Sequence, residues 1–431
     1  MALGLTYVAV CLLLYALVQK RLSTTAITGP MLFMGLGIIA SNQVLGVIES
    51  SLDIKAVVDI LFQSTLVLVL VTDASSLTIS SWRKDADYPA RLLGIGLPLT
   101  IAIGAALAAV LFTELSIWEA AIIGAIIAPT DAALGQAVVS NPRVPERIRQ
   151  ALDVESGLND GISLPFVLIF IGLAEQAQNA NALATFAGEI GIAVAVGVGV
   201  GFIGGWALDR STAAGWINTA WSNIAVISIA LLAFILADVS GGSGFIATFV
   251  AGLSYGHVTR TEIAPNEFLA GTVGAGLIQV SFLAFGALIV MPVFENFTWE
   301  LAVMALLALT VARMIPVAIS MVGTRLTLPT LLYMGWFGPR GLATIVFASL
   351  VVTESDLAGI ETIVAVATTT VAASVVLHGL TAFPGSEAYG NWYEKQDKTS
   401  LEEAKKVHHH LRPNARRLTD TAQASTPQPG E

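Results

Sequence analysis

Four stretches of the 431-residue chain put ionisable side chains inside long apolar runs. GAIIAPTDAALG holds Thr130 and Asp131, DVESGLNDGISLPF holds Glu155, Ser156, Asn159 and Asp160, TVARMIP holds Arg313, and GWFGPRGLAT holds Arg340. A carboxylate or guanidinium in hydrocarbon costs a few kcal/mol or more even after relaxation, so such groups survive where they are paired or where they bind something. Oxygen ligands of this kind suit a proton or a hard cation. On a helix Ser156 and Asp160 share a face, and Glu155 and Asn159 share the adjacent one. Pro129 removes a backbone donor beside Asp131, and Gly338, Pro339 and Gly341 surround Arg340 with residues that interrupt a helix.

The elements that carry these residues are set by composition. Asp, Glu, Lys and Arg make up only 12% of the chain, hydrophobic residues 55%, and the mean hydropathy is +0.77. A soluble domain would carry about twice that charge. The 39 Gly and 16 Pro lie in apolar segments, which fits helices that pack closely and sometimes break better than the alternating strands of an outer-membrane barrel. The fold class is an all-α polytopic membrane protein. Thirteen apolar runs are long enough to cross a membrane, with interruptions in the fifth (118–139) and twelfth (329–353).

Assigning thirteen spans sorts the basic residues. Lys20, Arg21, Arg83, Lys84, Arg91, Arg143, Arg147, Arg149, Arg210, Arg260, Arg325 and the Lys and Arg of the tail fall on one side, against Lys55 on the other. That side is cytoplasmic by the positive-inside rule. The expected protein therefore sits in the plasma membrane with its N-terminus outside and its C-terminus in the cytoplasm. Arg313 and Arg340 are left within the membrane. The basic residues form no nucleic-acid patch. Cys11 is alone, so neither a disulfide nor a cysteine metal site is expected. The first apolar run lacks a cleavage signal and should persist as a helix. Residues 1–384 form the expected transmembrane domain, and 385–431 a polar cytoplasmic tail, with an amphipathic stretch at 392–407 and an exposed His408–His410 run.

Depth follows from the rise per residue. Asp131 lies about 18 Å from the outer end of its span and Asp160 about 16 Å from Arg149, so both reach the bilayer centre. Glu155 and Arg313 come to similar depths from the cytoplasmic side, which makes them ion-pair partners, and Arg340 neutralises carbonyl ends at a break. If spans 1–6 and 8–13 are repeats, their offset of seven inverts the topology and pairs the two broken spans, the pattern of secondary transporters with a midplane ion site. By residue count Asp73, in LVLVTDASS, falls near the cytoplasmic boundary, as do His257 and His378. Gly197, Gly201 and Gly205 form a small-residue stripe whose partner the sequence leaves open.

At APTDA (128–132), ESGLND (155–160), Arg313 and GPRG (338–341) the chain resembles the monovalent cation/proton antiporter superfamily, in its sodium/proton exchanger branch, over about residues 1–384. The resemblance implies a homodimer in which a core domain with two crossed, broken helices moves against a dimerisation domain. It implies that Asp160 binds cation or proton alternately, assisted by Asp131, Ser156 and the backbone at Thr130. Glu155, Asn159 and Arg313 would hold that arrangement, Arg340 would support it, and Asp73 is a shorter counterpart of an acidic residue that some relatives use. Asn159-Asp160, in place of a double aspartate, resembles the electroneutral kind that exchanges one cation for one proton. The substrate ions are then Na⁺ with Li⁺, or K⁺ as the alternative, with no cofactor and no enzymatic step. A cation channel is a second reading. An intramembrane aspartyl protease using Asp131 and Asp160 is a third, and it leaves both buried arginines and the matched breaks unexplained.

Overall fold

A computed structural model describes residues 2–22, 25–48, 52–76, 87–175, 181–259, 269–398 and 401–404. Among these the chain is helical, apart from one isolated bridge between Ser41 and Ile48. In order the helices are α1 (Ala2–Leu22), α2 (Gly29–Ala40), α3 (Leu52–Ser76), α4 (Asp87–Leu111), α5 (Ile117–Ile126), α6 (Ala132–Val139), α7 (Glu146–Glu175) and α8 (Ala182–Ala213). There follow α9 (Thr219–Val239), α10 (Gly244–Val258), α11 (Gly271–Glu295), α12 (Trp299–Ser320), α13 (Leu328–Trp336), α14 (Leu342–Glu354) and α15 (Ile360–Glu394). Nine described helices are long and apolar enough to span a membrane. The fifth and twelfth apolar runs are the ones whose helices break, at 127–131 between α5 and α6 and at 337–341 between α13 and α14.

Local chemistry sets the helix starts. Ser116 and Glu119 form a reciprocal capping box on α5, Asn218 accepts from the Trp221 N–H at the start of α9, and Pro30 and Pro329 occupy first-turn positions where no donor is needed. Small residues then let backbones touch, because apolar side chains gain little from leaving lipid for a helix interface. A Cβ on Gly201 would stand 2.3 Å from the Ala251 carbonyl, and one on Gly197 2.5 Å from that of Ala247. The glycine stripe of α8 is thus a seam against α10 of the same chain. Gly37 and Gly286 join α2 to α11 in the same way.

Helix α15 continues through Pro384, so the 384/385 boundary falls within a helix. The chain then returns along the bundle end that carries Arg143, Arg147 and Arg149. Buried Glu403 accepts hydroxyl hydrogen bonds from Thr327 and Thr330, both at 2.6 Å, and Thr330 also meets the Tyr389 hydroxyl at 2.8 Å. Glu402 pairs with Arg147 at 3.1 Å, and the Arg147 guanidinium lies 4.1 Å from the centre of the Tyr88 ring. Glu402 and Glu403 therefore pack on the bundle. Arg83, Lys84, Arg260, the His408–His410 run and the end of the expected amphipathic stretch lie outside the described residues.

Candidate functional site

The two breaks meet each other. Leaving the helical pattern at 127–131 frees carbonyls at the end of α5 and N–H groups at the start of α6, and 337–341 does the same for α13 and α14. Irregular backbone at membrane depth persists only when such groups find partners or line a cavity. Here each break supplies partners for the other. The Asp131 N–H donates to the Pro339 carbonyl at 2.7 Å. Asp131 Oδ1 accepts from the N–H groups of Ala133 (2.8 Å) and Leu134 (3.2 Å), capping α6, while Oδ2 accepts from Leu342 N–H (2.9 Å) at the start of α14. One carboxylate thus caps two half-helices, at the ends where their dipoles favour negative charge. This contact requires Gly341, since a Cβ there would overlap Asp131 Oδ2 at 1.8 Å.

Arg340 serves the carbonyl side. Its side chain is fully buried and donates to the carbonyls of Ala128 and Pro129, the latter at 3.2 Å, so it neutralises the end of α5. These carbonyls belong to the opposite break. The expected Glu155–Arg313 pair is present as a two-pronged contact between buried partners, with Nη2 to Oε2 at 2.7 Å and a second bond between Nη1 and Oε1. Thr130 Oγ1 lies 3.0 Å from Ser156 Oγ and accepts from Asn159 Nδ2 at 2.6 Å, which ties α7 to the first break.

Asp160 stands apart from these pairings. Its carboxyl is buried, at 7% exposure, and Oδ1 has no hydrogen-bond partner among the described residues. Asp160 lines a cavity of about 730 Å³ whose walls include Asp73, Asp131, Asp153, Glu146 and Arg149. Because Glu146 and Arg149 sit in the first turn of α7, the cavity runs from the basic end of the bundle to Asp160. Residue count alone puts Asp73 near the membrane boundary. Helix α3 packs its last turns against α7, and a Cβ on Gly157 would stand 3.2 Å from that of Asp73, so this carboxyl faces the cavity.

The transmembrane sodium/hydrogen exchanger model matches residues 8–387. The chain belongs to the sodium/hydrogen exchanger family. Its relatives include the K(+)/H(+) antiporter NhaP2 of Shewanella oneidensis, 26% identical over 230 residues that make up 52% of this chain and 39% of that protein. The K(+)/H(+) antiporter NhaP of Alkalimonas amylolytica is 25% identical over 80% of this chain and 60% of its own length. The Na(+)/H(+) antiporter of Saccharomyces cerevisiae is 27% identical over 56% of this chain and 26% of that protein. The chain thus spans between about a quarter and three fifths of the length of these curated relatives. Among solved structures, the sodium proton antiporter MjNhaP1 of Methanocaldococcus jannaschii superposes with a TM-score of 0.71 at 21% identity, covering 87% of this chain and 98% of that one. At that identity the likeness shows a shared fold.

Within this exchanger-family fold, some cavity residues escaped the sequence reading. Asp153 is seven residues before Asp160, two turns along the same face of α7, and a helical-stripe count from Asp160 through Ser156 reaches it. Gln279 of α11 also lines the cavity, with its Oε1 buried and lacking a partner among the described residues, and no motif marks it. His378 lies deep in the bundle, at 1% exposure, because α15 extends sixteen residues past it to Glu394.

Proposed function

We propose that this protein exchanges a monovalent cation for a proton across the membrane, one for one, with Asp160 as the group that both ions share. The observation that carries the reading is Asp160, a buried carboxyl with one oxygen unpartnered among the described residues, in the wall of a cavity that also reaches Glu146 and Arg149 at the basic end. A cation arriving there meets a carboxylate with one oxygen free of protein donors among the described residues. Ser156 on the same face and the Thr130 backbone supply further hard oxygens, and Asp73 and Asp131 keep the surroundings acidic. Protons and cations compete for one carboxylate, so loading either ion empties the site of the other.

The basic end is cytoplasmic in this reading, which makes the cavity inward-open. Release on the other side then calls for the two broken helices and α7 to move together against a second body of a homodimer, in the manner of an elevator. The Glu155–Arg313 pair and the contacts that Asp131 and Arg340 make across the breaks tie α7, α12 and the two broken helices together, which supports a rigid carrier.

Na⁺ with Li⁺ is the proposed substrate class. The two relatives named K(+)/H(+) antiporters support K⁺ as the second reading. Purified protein in vesicles with an imposed pH gradient, challenged separately with Na⁺, Li⁺ and K⁺, tests both. Exchange that is unchanged when the membrane potential is clamped supports one-for-one coupling; a stoichiometry of two protons per cation would add about 2.3 kcal/mol per 100 mV for each net charge moved and would produce a sustained current. Potential-driven cation flux without proton movement would defeat the antiport reading in favour of a channel.

A further inference from the structure

Two side chains of α15 reach the second break from behind. Arg340 N–H donates to Ser374 Oγ at 2.6 Å, Ser374 Oγ lies 3.0 Å from His378 Nδ1, and His378 Nε2 lies 2.9 Å from the Trp336 carbonyl. A carbonyl only accepts, so Nε2 carries the proton and Nδ1 is the acceptor for the Ser374 hydroxyl. The hydroxyl in turn accepts from Arg340. Every donor in the chain then has one acceptor, and the imidazole is neutral. A second proton, on Nδ1, would turn to the Ser374 carbonyl at 3.2 Å and leave the hydroxyl hydrogen without its acceptor. Trp336 packs its ring 5.1 Å from that of His378, which fixes the ring plane.

The result is a clamp across 336–340. Ser374 and His378 are one helical turn apart, so a single face of α15 holds the last carbonyl of α13 and the N–H of Arg340 at the same time. What lies next to the clamped backbone is the site. The Arg340 side chain holds the carbonyl end of α5, and Leu342, two residues on, supplies the N–H that fixes Asp131.

We propose that His378 and Ser374 are positioning residues for ion exchange: through the backbone of 336–340 they set where Arg340 and Leu342 hold the opposite break around the cation site. The proposal rests on the antiport reading above. It assigns a role to two residues outside the cavity lining.

Exchange by purified protein in vesicles, with maximal rate and apparent cation KM measured separately, tests it. His378→Ala is expected to lower the maximal rate about tenfold, the factor that the loss of one buried hydrogen bond corresponds to. Ser374→Ala is expected to do the same, and the double variant to lose little more, because both act through one clamp. His378→Gln, whose amide nitrogen can take the place of Nε2 on the Trp336 carbonyl, is expected to restore most of the rate. Thermal stability in detergent is followed for each variant, and the Gln variant answers the question if the Ala variant fails to fold. Wild-type rates in either Ala variant, or a loss that Gln does not restore, overturn the positioning role while unmodified protein in the same vesicles still exchanges. Unmodified protein that exchanges no cation for protons overturns the antiport reading itself, and the positioning role with it.

Discussion

The Leu342 N–H donates to Asp131 Oδ2 at 2.9 Å across a sequence separation of 211 residues, and it joins the two breaks at their centre. With Ala133 and Leu134 on the other oxygen, Asp131 has its acceptors committed to backbone. Asp160, with an oxygen that has no partner among the described residues, differs in this respect. One membrane aspartate therefore holds helix ends together, and the other is the group that the proposed exchange assigns to the ion.

Asp160→Asn is expected to abolish exchange. The substitution keeps the shape but removes the titrating, anion-forming group for which protons and cations compete. Because Asp160 Oδ1 holds no hydrogen bond, the fold should persist, with a melting temperature in detergent close to that of the unmodified protein. Proton flux with normal pH dependence in this variant would show that Asp160 is not the exchanging carboxylate.

Asp131→Asn is expected to act mainly on stability of the crossing. An amide oxygen can keep one of the two caps, but the amide nitrogen cannot accept from the N–H on the other side, so about 0.5–2 kcal/mol of capping is lost. Exchange falls with it, and the apparent cation KM changes less than the rate. A variant that melts like wild type and loses only cation affinity would make Asp131 a ligand first and a cap second.

Glu155 and Arg313 are expected to behave as one unit. Removing either partner leaves an uncompensated buried charge and costs about 3–5 kcal/mol, whereas replacing both with a neutral polar pair recovers much of it. Thermal or denaturant unfolding of Glu155→Gln, Arg313→Gln and the double variant closes the cycle. Additive losses in the double variant would mean that the contact contributes no coupling.

Glu403→Ala is expected to lower stability without altering the cation KM. Thr327 and Thr330 both donate to this carboxylate, and losing a buried charged acceptor costs about 1.5–3 kcal/mol, offset in part because the two hydroxyls and that of Tyr389 still reach one another. Truncation after residue 398 should match it. Stability equal to that of the unmodified protein in both variants would show that the segment around Glu403 does not hold the start of α13.

The class of the protein, the position of its two breaks and the pairing of Glu155 with Arg313 were legible in the sequence, each for a reason that is local or one-dimensional. Low charge and high hydropathy require lipid, Pro129 and the GPRG stretch cannot continue a helix, and depth along a helix is a count of residues at a fixed rise. What the count cannot supply is rotation and lateral neighbours, and these decided the rest. Asp73 looked interfacial by depth, yet it faces the cavity because α3 lies against Gly157 of α7. The carbonyls that Arg340 neutralises belong to the break more than 200 residues earlier, and Asp131 caps a helix beside its own, since hydrogen bonds between breaks depend on how two segments cross and not on either alone. The glycine stripe of α8 announced a close contact, but only packing showed that α10 of the same chain fills it. By residue count His378 falls at a helix end, because polarity rises after Pro384. The helix runs on to Glu394, and Ser386, Tyr389 and Glu403 of the expected tail are buried against the bundle.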